Sequence, residues 1–328
     1  MIKMKSEVPP PDWWLNMTGK IFTTATTFMN VPSIPLKAEE IMKAKADVAI
    51  LGAPFEGPTW GIPGTTFGPI TIRYASAQVQ TYDPEYDIDL LDHMNIVDCG
   101  DVVQVPHNTL ESYKRIEDGV SEIVSAGAMP ITFGGDHAIT YPAFKGFHRH
   151  KYKKGKIGLI QFDSHSDTYD IMDGSKYTNA TEITRISELE NVNPKNIVQV
   201  GIRAFEREGR RVGEKLGITT FYARETLRRG FENVTKEAID IAKDGTDYLY
   251  CTVDIDVLDA AYAPGTSWPS PGGPTTMQLM NAVGMVGKSG VDAFDLVEVF
   301  PQGDPNMITA RAAGWITREL LLNQVAKD

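Results

Sequence analysis

From residue 46 onward, short apolar runs alternate along the chain with longer stretches of helical periodicity. The runs are ADVAILG (46–52), MPITFGG (129–135), KIGLIQFD (156–163), NIVQVGI (196–202), TTFYA (219–223), DYLYCTVD (247–254) and VDAFDLVEV (291–299). Tyr113–Ala126 and Lys236–Lys243 place their apolar residues at helical spacing instead. Apolar strands separated by amphipathic helices predict an α/β fold with a parallel sheet covered on both faces. Ligands of such sheets bind beyond the carboxyl ends of the strands. Residues 1–45 are different: PPPDWW and the run from Phe22 to Pro35 keep neither period. They predict an irregular N-terminal arm with some helix, packing on a neighbouring subunit. Trp13 and Trp14 would anchor it, in the core or at an interface. No repeat, low-complexity tract or linker follows, so residues 46–328 read as one domain.

Three polar clusters fall where apolar strands end. They are Gly134-Gly135-Asp136-His137, Asp163-Ser164-His165-Ser166-Asp167 and Asp254-Ile255-Asp256. In extended chain, residues two apart point the same way, so Asp163, His165 and Asp167 can face one point, as can Asp254 and Asp256. Carboxylates packed this closely repel one another and are costly to desolvate unless a cation neutralises them. Each fragment alone reads equally well as a solvated strand end. Three in order, each after an apolar strand, argue for a metal centre. Carboxylates with two imidazoles suit borderline-hard divalent ions such as Mn²⁺, and a pair of ions would supply hydroxide near neutral pH. His93, His107, His148 and His150 lie in polar or basic surroundings and read as ordinary surface residues.

Composition narrows the picture. The chain has 328 residues, 42% of them hydrophobic, enough for a sizeable core. Its formal charge of -11 and the lack of a Lys/Arg run argue against nucleic acid and mildly favour cationic small molecules. Cys99 and Cys251 stand in apolar, strand-like settings and read as buried thiols in a reducing compartment. No apolar segment follows the N-terminal lysines, and none approaches ~18 uninterrupted apolar residues. The expectation is a cytoplasmic protein without a membrane partner.

GGDHAIT, FDSHSD and VDIDVLDAAYAPGT resemble the signature stretches of the ureohydrolase family, which includes arginase, agmatinase and guanidinobutyrase. PGTTFGPITIR and the closing LVEVFPQGD…TARAAGWITREL extend the resemblance from about residue 48 to the C-terminus. It implies a three-layer α/β/α fold with a mostly parallel eight-stranded sheet, two divalent ions per chain (Mn²⁺ or Ni²⁺), and a trimer or hexamer, homomeric or with a sister subunit. Carried over, His137, Asp163, Asp167 and Asp254 hold one ion, and Asp163, His165, Asp254 and Asp256 the other. Asp254 or Asp256 also orients the bridging hydroxide. Glu298 matches the guanidinium-binding glutamate. A carboxylate at a strand end can accept paired N–H bonds from a planar cation, although such an acid can also serve a helix-cap network. The implied reaction splits a guanidine C–N bond with water, giving urea or a substituted urea and an amine or ammonia.

Two departures concern the substrate. Many relatives carry a histidine in an HGT-like stretch where KYTNATEI places Asn179, and an amide cannot shuttle a proton. Trp268, in APGTSWPSPGG, replaces a smaller residue; it can close the pocket, stack on a cation, or pack away from the site. Phe55 and Trp60 are further candidates for an apolar wall. Together these favour a compact or apolar guanidine: free guanidine, an alkylguanidine or a biguanide such as metformin. The rivals are an agmatinase or guanidinobutyrase, a non-catalytic partner subunit, and a deacetylase of related fold, whose single Zn²⁺ would leave carboxylates uncompensated.

Overall fold

The computed structural model describes residues 26–57, 61–204 and 207–326. Trp13, Trp14 and Trp60 lie outside the described residues. The main sheet has eight strands: β1 Val48–Ala53, β2 Ile96–Asp101, β3 Met129–Gly134, β4 Ile157–Phe162, β5 Val192–Ile202, β6 Thr219–Tyr222, β7 Tyr248–Asp254 and β8 Ala293–Val297. They lie in the order β2-β1-β3-β8-β7-β4-β5-β6, and every pairing is parallel. Each apolar run named above supplies one strand. The eighth is β2, at the edge, whose sequence IVDCGD is only half apolar.

The central strands are buried along their whole length, as a sheet covered on both faces requires. Alternation along β1 sends Val48 and Ile50 to one apolar cluster and Ala49, Leu51 and Ala53 to the other. Helices Gly68–Ser76, Phe231–Ala242, Thr276–Lys288 and Ile308–Val325 complete the first cluster; Thr109–Ser125, Thr140–Lys151 and Glu182–Ser187 complete the second. The fold is therefore the expected three-layer α/β/α. Both predicted helices exist, and each begins earlier than expected. The first starts at Thr109, where the Asn108 side chain accepts from the Glu111 amide at 3.1 Å. The second starts at Phe231, after Gly230.

Within the arm, residues 26–45 pack on their own chain. Phe28 is buried with its ring 5.1 Å from that of Phe133, and the Phe28 amide donates to Asp98 at 2.9 Å. Asp98 and Ile34 amides then bond the carbonyls of Pro32 and Asp98, so this segment covers the open edge at β2. Its lack of period reflects side chains fitted one by one against a sheet edge. Cys99 and Cys251 are both buried free thiols, as expected.

Candidate metal centre and active-site cavity

Parallel strands all end at the same side of the sheet, and the four central ones deliver the acidic residues. Asp136 and His137 follow β3, Asp163 follows β4, Asp254 ends β7 and Glu298 follows β8. Gly135 is required at the first of these turns, because a Cβ there would sit 1.9 Å from the carbonyl oxygen of Phe55. The clusters do converge, but not through strand alternation. Asp167 reaches the centre through a left-handed backbone (φ 49°), and Asp256 sits in the 3-10 turn Ile255–Val257. Glu298 is also left-handed (φ 64°). Non-glycine residues in that region are strained, and here the strain aims side chains at one point.

His137 Nδ1 is the focus. It lies 3.0 Å from carboxylate oxygens of Asp163 and Asp167 and 3.4 Å from one of Asp254, all in the buried interior. It makes no hydrogen bond with any of them. Its tautomer follows from the other ring nitrogen. Asp295 Oδ1 accepts from the Thr252 hydroxyl at 2.5 Å and Oδ2 from Tyr250 at 2.6 Å. The Thr252 hydroxyl directs its hydrogen at Asp295, so its oxygen accepts from His137 Nε2–H at 2.9 Å, and the neutral ring then turns its Nδ1 lone pair to the carboxylates. A basic nitrogen with a free lone pair, ringed by acidic oxygens and without a partner, is a ligand arrangement. His137, Asp163 and Asp254 offer donor atoms within 4.8 Å of one another, and so do Asp163, His165 and Asp256.

The same acids that would share a cation with His137 also draw a proton to that position. Burial opposes a charge on His137, yet Asp163, Asp167 and Asp254 pull its pKa well above the usual imidazole range. Burial, with Asp167 and Asp256 nearby, raises Asp163 to about 7. Asp254 is raised as well, by burial and by Asp256 and Asp163. His165 is raised to about 11; burial works against this, and Asp256, 2.9 Å from its Nδ1, supplies the pull. Asp256 falls below the carboxylate range despite its burial, because His165 and the Ser164 amide stabilise its charge. So much negative charge in one dry place attracts a cation.

The centre opens into a cavity of about 600 Å³. His165, Asp167, Asp254, Asp256 and Glu298 form its floor; Tyr169, Ile171, Met172, Asp173, Asn179 and Trp268 are on its walls. Glu298 caps a turn and also faces the cavity. Its Oε1 accepts from the amide of His137 at 3.0 Å, capping the turn, while Oε2 accepts from Ser267 at 2.9 Å and faces the cavity. Burial raises its pKa to about 7. Trp268 is on the wall and 48% exposed, not packed away. Phe55, expected on the wall, is instead buried edge-on against Tyr113 at 5.4 Å. Asp136 also stays out of the donor groups: its oxygens accept from the amides of Ala138 and Gly57.

Several site residues were missing from the sequence reading. Gln161 donates to Asp163 at 2.6 Å and is itself held by Gln199. Gln161 and Asp295 are polar interruptions in fully buried strands, a signal that could have singled them out. Glu182, buried beside His137 and Asp167, gave no such signal, because an acid in the first turn of a helix is ordinary.

The model of the Arginase family matches residues 46–323. A formimidoylglutamase of Halalkalibacterium halodurans is 32% identical over 284 residues, covering 85% of this chain and 88% of the relative. A guanidinobutyrase of Pseudomonas aeruginosa is 34% identical over 304 residues, 92% of each chain. The solved proclavaminate amidino hydrolase of Streptomyces clavuligerus superposes with a TM-score of 0.84 at 28% identity, over 93% of this chain and 98% of that one. The chain therefore belongs to the arginase family, hydrolases that act on amidino C–N bonds.

Proposed function

We propose that the chain hydrolyses a C–N bond of a guanidine compound at a centre of two divalent ions. It would release urea or a substituted urea together with an amine or ammonia. The observation that carries this reading is the buried, unpartnered Nδ1 of His137 inside a ring of Asp163, Asp167 and Asp254. His137, Asp163, Asp167 and Asp254 would hold one ion and Asp163, His165, Asp254 and Asp256 the other. The donors are imidazole nitrogens and carboxylate oxygens with no thiolate, which suits Mn²⁺ or Ni²⁺. Such ions, when bound, neutralise the carboxylates and acidify water, so that hydroxide is available near neutral pH.

The protein's own groups do the positioning. Glu298 accepts the N–H groups of the guanidinium and holds the trigonal carbon over the centre. A cation beside it favours its ionised form, offsetting the burial that raises its pKa. Asp254 or Asp256 orients the attacking water. Water oxygen bonds to the guanidine carbon, the C–N bond breaks, and the departing nitrogen takes up a proton. Asn179 can hydrogen-bond to that nitrogen but has no proton to transfer, so the proton comes through water or a carboxyl group of the floor.

Trp268, Tyr169, Ile171 and Met172 give the cavity an aromatic and aliphatic wall, which favours a compact or apolar guanidine: free guanidine, an alkylguanidine or metformin. Asp173 supports a second reading. It adds a carboxylate to the same wall and could pair with the second cation of agmatine. No lysine or arginine stands among the described residues of that wall, which weighs against the carboxylate tail of guanidinobutyrate. We place the protein in the cytoplasm, as a trimer or hexamer; no helix among the described residues is long and apolar enough to cross a membrane. The test is release of urea and amine from guanidine, methylguanidine, metformin, agmatine and 4-guanidinobutyrate, with Mn²⁺- and Ni²⁺-loaded protein side by side. Preferred turnover of a compact guanidine is expected, and preferred turnover of agmatine would overturn the substrate assignment in favour of the Asp173 reading.

A further inference from the structure

One buried acid has no part in the mechanism above. Glu182 opens the helix Glu182–Ser187, which packs against the turn His137–Ile139. It is 1% exposed, and neither of its carboxylate oxygens has a hydrogen-bond partner. The guanidinium of Arg185, one turn along, is engaged with Asp170 and Glu188 at the surface. Among the described residues, the only basic group within ion-pair reach of Glu182 is His137, whose Nδ1 lies 3.8 Å from Oε1. That nitrogen is the one already facing Asp163, Asp167 and Asp254.

The separations fit a shared ion. Donor atoms around one octahedral ion, with bonds of about 2.1 Å, lie about 3.0 Å apart at right angles and about 4.2 Å apart across it. Around His137 Nδ1 the observed separations are 3.0, 3.0, 3.4 and 3.8 Å, the last to Glu182, so all four lie within the span of those two values. Donor atoms of His137, Asp167 and Glu182 lie within 4.8 Å of one another. We propose that Glu182 is a further ligand of the divalent ion held by His137 and Asp167. This inference rests on the metal-centre reading given above. The added carboxylate oxygen makes that ion's surroundings harder, which favours Mn²⁺ over ions that prefer imidazole.

Glu182→Gln separates a ligand from a buried acid that merely carries a proton. The amide keeps the shape and can donate to Asp167 as a protonated acid would, but it loses the anionic donor. Metal-free wild type and E182Q would be titrated with Mn²⁺ by calorimetry, with ions per chain counted by mass spectrometry and Mn²⁺ followed by electron paramagnetic resonance. The expected result is two ions in wild type, and in E182Q one ion bound as before while the other weakens by about tenfold or more. The resonance should then change from a coupled pair to an isolated ion. Equal affinity for both ions in E182Q and wild type overturns the role of Glu182 and leaves the centre standing. Fewer than one ion in wild type overturns both. Should E182Q fail to fold, judged by its metal-free melting temperature, Glu182→Asp takes its place, with tenfold weakening expected and unchanged affinity contradicting the assignment.

Discussion

The amide of His137 donates to the carboxylate of Glu298 at 3.0 Å, so a single residue ties the ring of buried carboxylates to the acid that faces the cavity. The His137 imidazole points into the ring of Asp163, Asp167 and Asp254, and its backbone fixes the oxygen pair on which a guanidinium would sit. Glu298→Gln keeps an acceptor for that amide and removes the charge. It should raise KM for the preferred guanidine by about 10- to 100-fold, the value of a charge-assisted hydrogen bond, with metal content unchanged. Steady-state kinetics beside metal analysis check this; an unchanged KM would remove Glu298 from substrate binding.

Thr252→Val tests the tautomer argument. The substitution removes the acceptor for His137 Nε2 and one donor to Asp295 while keeping the shape of the side chain. Loss of such an outer partner should weaken metal binding by about 10- to 100-fold without deleting any ligand. Titration with Mn²⁺ measures it, and wild-type affinity would refute the assigned tautomer.

Asp167→Ala and Asp256→Ala should each lower turnover by at least about 100-fold and reduce metal occupancy. Circular dichroism should remain close to wild type, since the strands and the two apolar clusters are untouched. Near-normal activity in either variant would contradict the ligand assignment.

The fold was largely legible because β1, β3, β4, β7 and β8 are predominantly apolar runs, and a sheet buried on both faces needs that composition. The edge strand β2, half polar and covered by residues 28–34, carries no such mark. At the site, strand ends announced His137, Asp163, Asp254 and Glu298. The manner of convergence was not legible, because the left-handed backbone of Asp167 and the 3-10 turn at Asp256 are imposed by tertiary packing. Glu182 was hidden for a different reason: burial, not residue type, makes it unusual.

The metal-free protein should also show a characteristic pH dependence. Burial raises Asp163 and Glu298 to about 7, so each keeps a proton in the folded state that it releases on unfolding above about pH 4. His165, held at about 11 chiefly by Asp256 against its burial, does the same from about pH 6.5 upward. The folded state binds more protons throughout that window, so the contribution of these groups to stability falls as pH rises. A bound cation displaces those protons. The gain in melting temperature on adding Mn²⁺ should therefore be larger at pH 8 than at pH 5.5. A gain that shrinks as pH rises would show that these groups do not face the ions.

The central claim is that this chain holds two catalytic ions, and counting them while measuring turnover tests it most directly. Metal-free protein would be loaded stepwise with Mn²⁺, with ions per chain determined by mass spectrometry and urea release measured on the same samples across the guanidine panel. The account predicts saturation at two ions per chain and amidino hydrolysis that appears only as the second ion binds. Saturation below one ion per chain, or full turnover by the metal-free protein, would contradict it.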